Sequence, residues 1–122
     1  ACLVLIAGTA LGAEVPTSAE FSRCMDSSDA NTWKMIACMD EETARQDGAL
    51  NAAYKALMRS LPPERKKQLR AAQRLWIKYR DANCKFYFDP EGGQMARVDA
   101  ASCLLSETAE RASELEGLHD VL

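Results

Sequence analysis

The chain has 122 residues, 48% of them hydrophobic and 27% charged, and a net charge of −3. That suffices for one domain with a modest core and no more. A lone histidine, His119, leaves histidine-dependent nucleophilic chemistry without support, and no phosphate loop, dinucleotide fingerprint or calcium-loop spacing occurs. Charge is unevenly spread: residues 1–58 carry four bases against eight acids, residues 59–89 nine against three, and residues 90–122 two against seven. A basic middle between acidic flanks suits packing of one segment on the next. It argues against nucleic-acid binding, since the acidic neighbours repel phosphate.

Residues 1–13 are apolar and then small, as at the end of a secretory signal peptide, with Ala10-Leu11-Gly12 as a small-x-small cleavage site. The run is shorter than the roughly 20 apolar residues that span a bilayer, so no stable membrane span is expected. If retained, these residues are expected to be poorly tied to the core. Residues 14–30 are polar and read as a loop segment anchored by Phe21 and Cys24.

A helical domain is predicted over residues 31–122. Asn31 or Thr32 caps the first helix, about 31–61, whose apolar positions include Trp33, Ile36, Leu50, Tyr54, Leu57, Met58 and Leu61. Gly48 inside it costs about 1 kcal/mol relative to Ala and marks a kink or a close helix crossing. Pro62-Pro63 ends that helix and opens the next, about 63–88, because proline suits the first helical turn. Within it, Leu69 to Cys84 splits into three strips. Ala72, Leu75, Trp76, Tyr79, Ala82 and Phe86 share one side, and Leu69, Gln73, Ile77, Arg80 and Cys84 share the next. Two apolar sides predict a helix sandwiched between two neighbours, at the centre of the fold. Gln73 and Arg80 fall on an otherwise apolar strip, where an unpaired charge costs several kcal/mol. Arg80 is therefore expected to be enclosed and paired with Asp47, Asp81 or Glu107; the alternative is that Gln73 and Arg80 edge a groove that receives a partner.

Asp89-Pro90-Glu91-Gly92-Gly93 is a strong turn. A last helix, about 94–118, follows with a narrow seam at Val98, Ala101, Leu105, Thr108, Ala112 and Leu115. Glu41, Glu42, Glu107, Glu110 and Glu114 read as solvated helix faces, and no catalytic residue is assigned. The fold class is therefore all-α, with three antiparallel helices behind an N-terminal loop.

Apart from Cys2, the cysteines are Cys24, Cys38, Cys84 and Cys103. An even count behind a signal peptide predicts two disulfides in an oxidising compartment. Of the three pairings, Cys24–Cys38 and Cys84–Cys103 are favoured because each closes a short local loop. With no Cys-x-x-Cys and a single terminal histidine, neither a metal nor a cofactor is expected.

Several motifs together carry a resemblance. They are Asp47-x-x-Leu50-Asn51-x-x-Tyr54, then Leu69-x-x-Ala72-Gln73-x-x-Trp76-Ile77-x-x-Arg80-Asp81-x-x-Cys84, then Gly92-Gly93, then Cys103 and Thr108-x-x-Arg111-x-x-x-Leu115. From about Cys24 to Leu115 the chain resembles the LprI-type family, small secreted proteins of bacterial envelopes named after a lysozyme-inhibiting lipoprotein. The resemblance implies a disulfide-bonded helical domain outside the cytoplasm, in the periplasm or secreted, with a protein partner and no enzymatic activity. An inhibitor of a basic, animal-type lysozyme gains from acidic surroundings for steering and from donors that enter the carboxylate-bearing cleft. Lys85 and Arg97, beside Asp89, Glu91, Gly92 and Gly93, are the candidate partner-binding residues. The alternative is an envelope interaction module, homodimeric or with another partner, using Trp33, Met35, Met39 and the Phe86-Tyr87-Phe88 run.

Overall fold

The computed structural model describes residues 15–122, all of whose regular structure is helical. The expectations for residues 1–13 lie outside the described residues. Four helices follow in order: α1 (Ala19–Ser27), α2 (Thr32–Ser60), α3 (Pro63–Tyr87) and α4 (Gly93–Val121). The predicted long helices are present. The segment read as a loop contains the extra one, α1. Ser18 caps it by accepting from the Phe21 N–H, and Glu20 sits in its positive first turn.

Local chemistry explains the other boundaries. Asn31 accepts from Lys34 N–H at 3.0 Å to start α2, and Pro63 occupies the first turn of α3. Between α1 and α2, Asp29 and Ala30 adopt φ of 50° and 58°, a left-handed turn in a row of two non-glycine residues. Gly48 lies exposed in α2, and a Cβ there would meet nothing within 4 Å. It marks no close helix crossing.

The central helix is α4, not α3 as the apolar strips predicted. α4 runs along α2 for most of its length, and α3 packs on α4 while its backbone diverges from α2. The reason is the size of the seam residues. Ala101, Ala109 and Ala112 are buried on α4 and let α2 approach closely, with Leu105 and Leu115 filling the gaps. One apolar cluster joins Leu50, Ala53 and Leu57 of α2 to Ala112 and Leu115, with Leu69 and Trp76 of α3 against it. A second joins Met39 to Ala101 and Leu105, with Phe21 and Met25 of α1 and Ile36 of α2 packed on it.

Having one main neighbour, α3 buries one strip. Gln73 and Cys84 are buried, and Leu69, Trp76 and Arg80 are half-buried. Apart from Trp76, the strip predicted to face a second neighbour looks into solvent, with Leu75, Tyr79 and Phe86 67%, 58% and 82% exposed, and Ile77 of the adjoining strip is exposed as well. Cys24–Cys38 clips α1 to α2 and Cys84–Cys103 ties α3 to α4, with Cα–Cα distances of 5.7 and 5.4 Å. Their sequence separations of 14 and 19 residues correspond to about 3 kcal/mol each in the chain-entropy account.

Candidate functional site

Two features stand out from this scaffold: the tip joining α3 to α4, and a groove between α2 and α3. The tip is built by its turn residues. Asp89 Oδ1 accepts from the Glu91 N–H at 2.9 Å, and the Asp89 carbonyl accepts from the Gly92 N–H at 3.0 Å. A Cβ on Gly92 would lie 2.8 Å from that of Ala96, and Gly93 has φ of +64°. Both glycines are thus required by the backbone, one for space and one for conformation. At the base of the tip, Cys84–Cys103 fixes the two helices.

Around that turn lie Phe86, Tyr87, Phe88 and Met95, all exposed. The Arg97 guanidinium sits 5.7 Å from the Trp33 ring centroid and 5.5 Å from that of Phe88. Two aromatic faces therefore hold one cation at the surface. Lys85, Phe86, Phe88, Asp89 and Pro90 line an open concavity at the same end. Lys85, Asp89, Glu91, Gly92, Gly93 and Arg97, singled out from the sequence, are all exposed here. Of the apolar residues named with them, Trp33 is exposed, Met35 is half-buried and Met39 lies in the core.

The groove, about 390 Å³ in volume, is walled by Asp47, Leu50, Asn51 and Tyr54 of α2 and by Arg70, Gln73, Arg74, Trp76, Ile77 and Arg80 of α3. Eight residues of the two motifs from α2 and α3 meet here, although Tyr54 and Gln73 lie 19 positions apart in the chain. Arg80 is not enclosed. Its side chain, 19% exposed, pairs with Asp81 at 3.0 Å on the rim and lies 5.0 Å over the Trp76 ring. Its other expected partners are engaged elsewhere: Asp47 accepts from Asn51 Nδ2, and Glu107 from Asn83 Nδ2, each at 3.5 Å. Gln73 is only 7% exposed, and its Oε1 accepts from Arg111 Nε at 3.0 Å. Arg111 in turn pairs with Glu114 at 3.1 Å.

Sequence reasoning missed a further polar cluster. Glu42, read as part of a solvated face, is fully buried. It accepts from the Ser18 N–H, from Ser18 Oγ at 2.7 Å, from Arg45 Nε at 2.6 Å and from Gln46 Nε2 at 3.4 Å. Burial alone would raise its pKa, but these donors outweigh burial and hold the carboxyl below its usual range. The cluster holds the start of α1 on α2. The spacing of Phe21, Met25 and Ser28, preceded by a capping Ser18, is the one sequence signal for that helix. Thr108 is also fully buried in α4, and its hydroxyl has no partner among the described residues.

Among the described residues, no helix is long and apolar enough to cross a membrane, and no cluster of His, Cys, Asp and Glu side chains is arranged to hold a metal ion. The family model for "Lysozyme inhibitor LprI" matches residues 24–115. Uncharacterized protein R02472 of Rhizobium meliloti (strain 1021) is 30% identical over 97 residues, 79% of this chain and 64% of the relative. The chain thus spans under two thirds of the length of that relative. No solved structure matches the chain. A match running from the first disulfide cysteine to the last buried leucine of α4 covers most of the four-helix unit, and the chain belongs to the lysozyme inhibitor LprI family.

Proposed function

We propose that the protein acts outside the cytoplasm as a binding protein that blocks a lysozyme-type muramidase, using the α3–α4 tip as its contact surface. The observation that carries this reading is the arrangement at the tip: exposed aromatics around a cation held by Trp33 and Phe88, on a turn stapled by Cys84–Cys103. Trp, Tyr and Arg are the residue types that dominate binding hot spots. A stapled tip has little conformational freedom left to lose on docking. The cleft of a muramidase presents two carboxylates, which Arg97 and Lys85 complement. The acidic segments on either side of α3 favour encounter with a basic enzyme. Two disulfides suit the periplasm or the exterior, where thiols are oxidised. The test is turnover of cell-wall suspensions by a basic, animal-type lysozyme with and without the purified protein. Inhibition saturating near equimolar protein supports the reading, and full turnover at a tenfold micromolar excess removes it.

A second reading, an interaction module of the envelope, draws on the exposed strip Leu75–Tyr79–Phe86 of α3. The strip offers apolar surface to a second copy or to another envelope protein. The mass of the free protein in solution checks it. A stable dimer that buries the strip supports this reading over the first, and a monomer that inhibits lysozyme contradicts it.

A further inference from the structure

The groove between α2 and α3 is distinct from the tip and supplies a second site. We infer that it binds a short, extended acidic peptide, with carboxylates at alternate residues taken by the arginines of α3. Three features converge on this.

The first is charge. Arg70, Arg74 and Arg80 line the groove and Asp47 is the one acid among its lining residues, in a chain whose net charge is −3. Arg80 spends its Nε and one terminal nitrogen on Asp81, which fixes its plane and leaves the other terminal nitrogen unpaired by Asp81. Among the described residues, neither Arg70 nor Arg74 forms an ion pair.

The second is Gln73. Guanidinium nitrogens only donate, so the bond to Arg111 forces the amide oxygen of Gln73 toward α4. The amide nitrogen has no acceptor among the described residues, yet it is not sealed from solvent, since Thr108 Oγ1 is the one buried side-chain polar atom there without a partner. On a residue that lines the groove, this nitrogen is free to donate to an acceptor from outside. With Asn51 and Tyr54 opposite, the groove is rich in donors and suits an acceptor-rich ligand such as a carboxylate-bearing main chain.

The third is spacing. Arg70 and Arg74 are four residues apart on a helix, about 6 Å along its axis. Alternate residues of an extended chain are about 6.6 Å apart and project to the same side. The span from Arg70 to Arg80, about 15 Å, accommodates four to five extended residues. An acidic glycan fits less well, because stacking on sugars needs an open aromatic face. Arg80 covers the Trp76 ring, which otherwise packs against the Leu50–Leu57 cluster.

The test uses acetyl-Glu-Ala-Glu-Ala-Glu-amide and its Gln-for-Glu counterpart, titrated calorimetrically at low and high salt and by NMR. The inference predicts at least tenfold tighter binding of the glutamate peptide and weakening with salt. It also predicts a shift of the Gln73 side-chain amide signal, which a purely structural glutamine would not show. Arg74→Glu, on an exposed position that does not endanger folding, is expected to lower the affinity at least tenfold. Equal affinity for the two peptides, undiminished binding by R74E, or tighter binding of an oligouronate than of the peptide would overturn it. Lysozyme turnover in the presence of R74E separates the two sites. The tip remains intact, so any inhibition is retained whatever the peptide result.

Discussion

Glu42→Gln is the sharpest test of how the N-terminal helix is held. The carboxylate accepts from four donors, and it is fully buried. A glutamine at this position keeps one acceptor oxygen and gains an NH2 that only donates. If the NH2 replaces Oε1 it faces Arg45 Nε, which cannot accept. If it replaces Oε2 it faces the Ser18 main-chain N–H, which cannot accept either. Each orientation loses one charge-assisted bond and sets donor against donor, for a total of about 2–4 kcal/mol. The cost depends on pH. Because the folded carboxyl titrates below its ordinary value of 4.5, its contribution is complete above that pH and fades as pH falls through the depressed folded value. Urea unfolding followed by circular dichroism, at pH 7 and pH 3, gives both numbers. The reasoning predicts a penalty at pH 7 that shrinks markedly at pH 3. A difference under 0.5 kcal/mol at pH 7, or an equal penalty at both, would refute it.

Other substitutions read other parts of the fold. Gly48→Ala, at an exposed helical site with open space for a methyl, should stabilise by about 0.5–1 kcal/mol, seen as a rise of a few degrees in Tm. Gly93→Ala imposes a Cβ on a residue at φ +64° and should lower urea stability by about 1 kcal/mol. Thr108→Val replaces a buried hydroxyl without a partner by a methyl of similar size. It should raise stability by about 1 kcal/mol or leave it unchanged, whereas a loss would show that the hydroxyl is hydrogen-bonded.

What was legible in the sequence was local. Asn31, Pro63 and the Asp89–Gly93 turn announce their boundaries because capping and turn chemistry involve near neighbours. Both disulfides close short loops, so their pairing followed from spacing. Burial did not follow so directly. Leu75, Tyr79 and Phe86 on α3 look like core by pattern, yet the alanine-rich seam of α4 wins the closest contact with α2. Small residues score weakly in an apolar pattern, although they are what allow two helices to approach. Glu42 stands beside Asp40 and Glu41 and resembles a wet face; its main partner, Ser18, is 24 residues away. The groove likewise needs α2 and α3 to diverge over α4, which no single segment encodes.

The central claim is that the stapled tip blocks a muramidase, and one comparison addresses it directly. Turnover of cell walls by a basic lysozyme is titrated with the wild-type protein and with Arg97→Glu, whose Trp33 and Phe88 clamp is exposed and whose core contacts are intact. The account predicts inhibition by the wild type and at least tenfold weaker inhibition by R97E. Full turnover with both proteins, or identical inhibition by both, would contradict it.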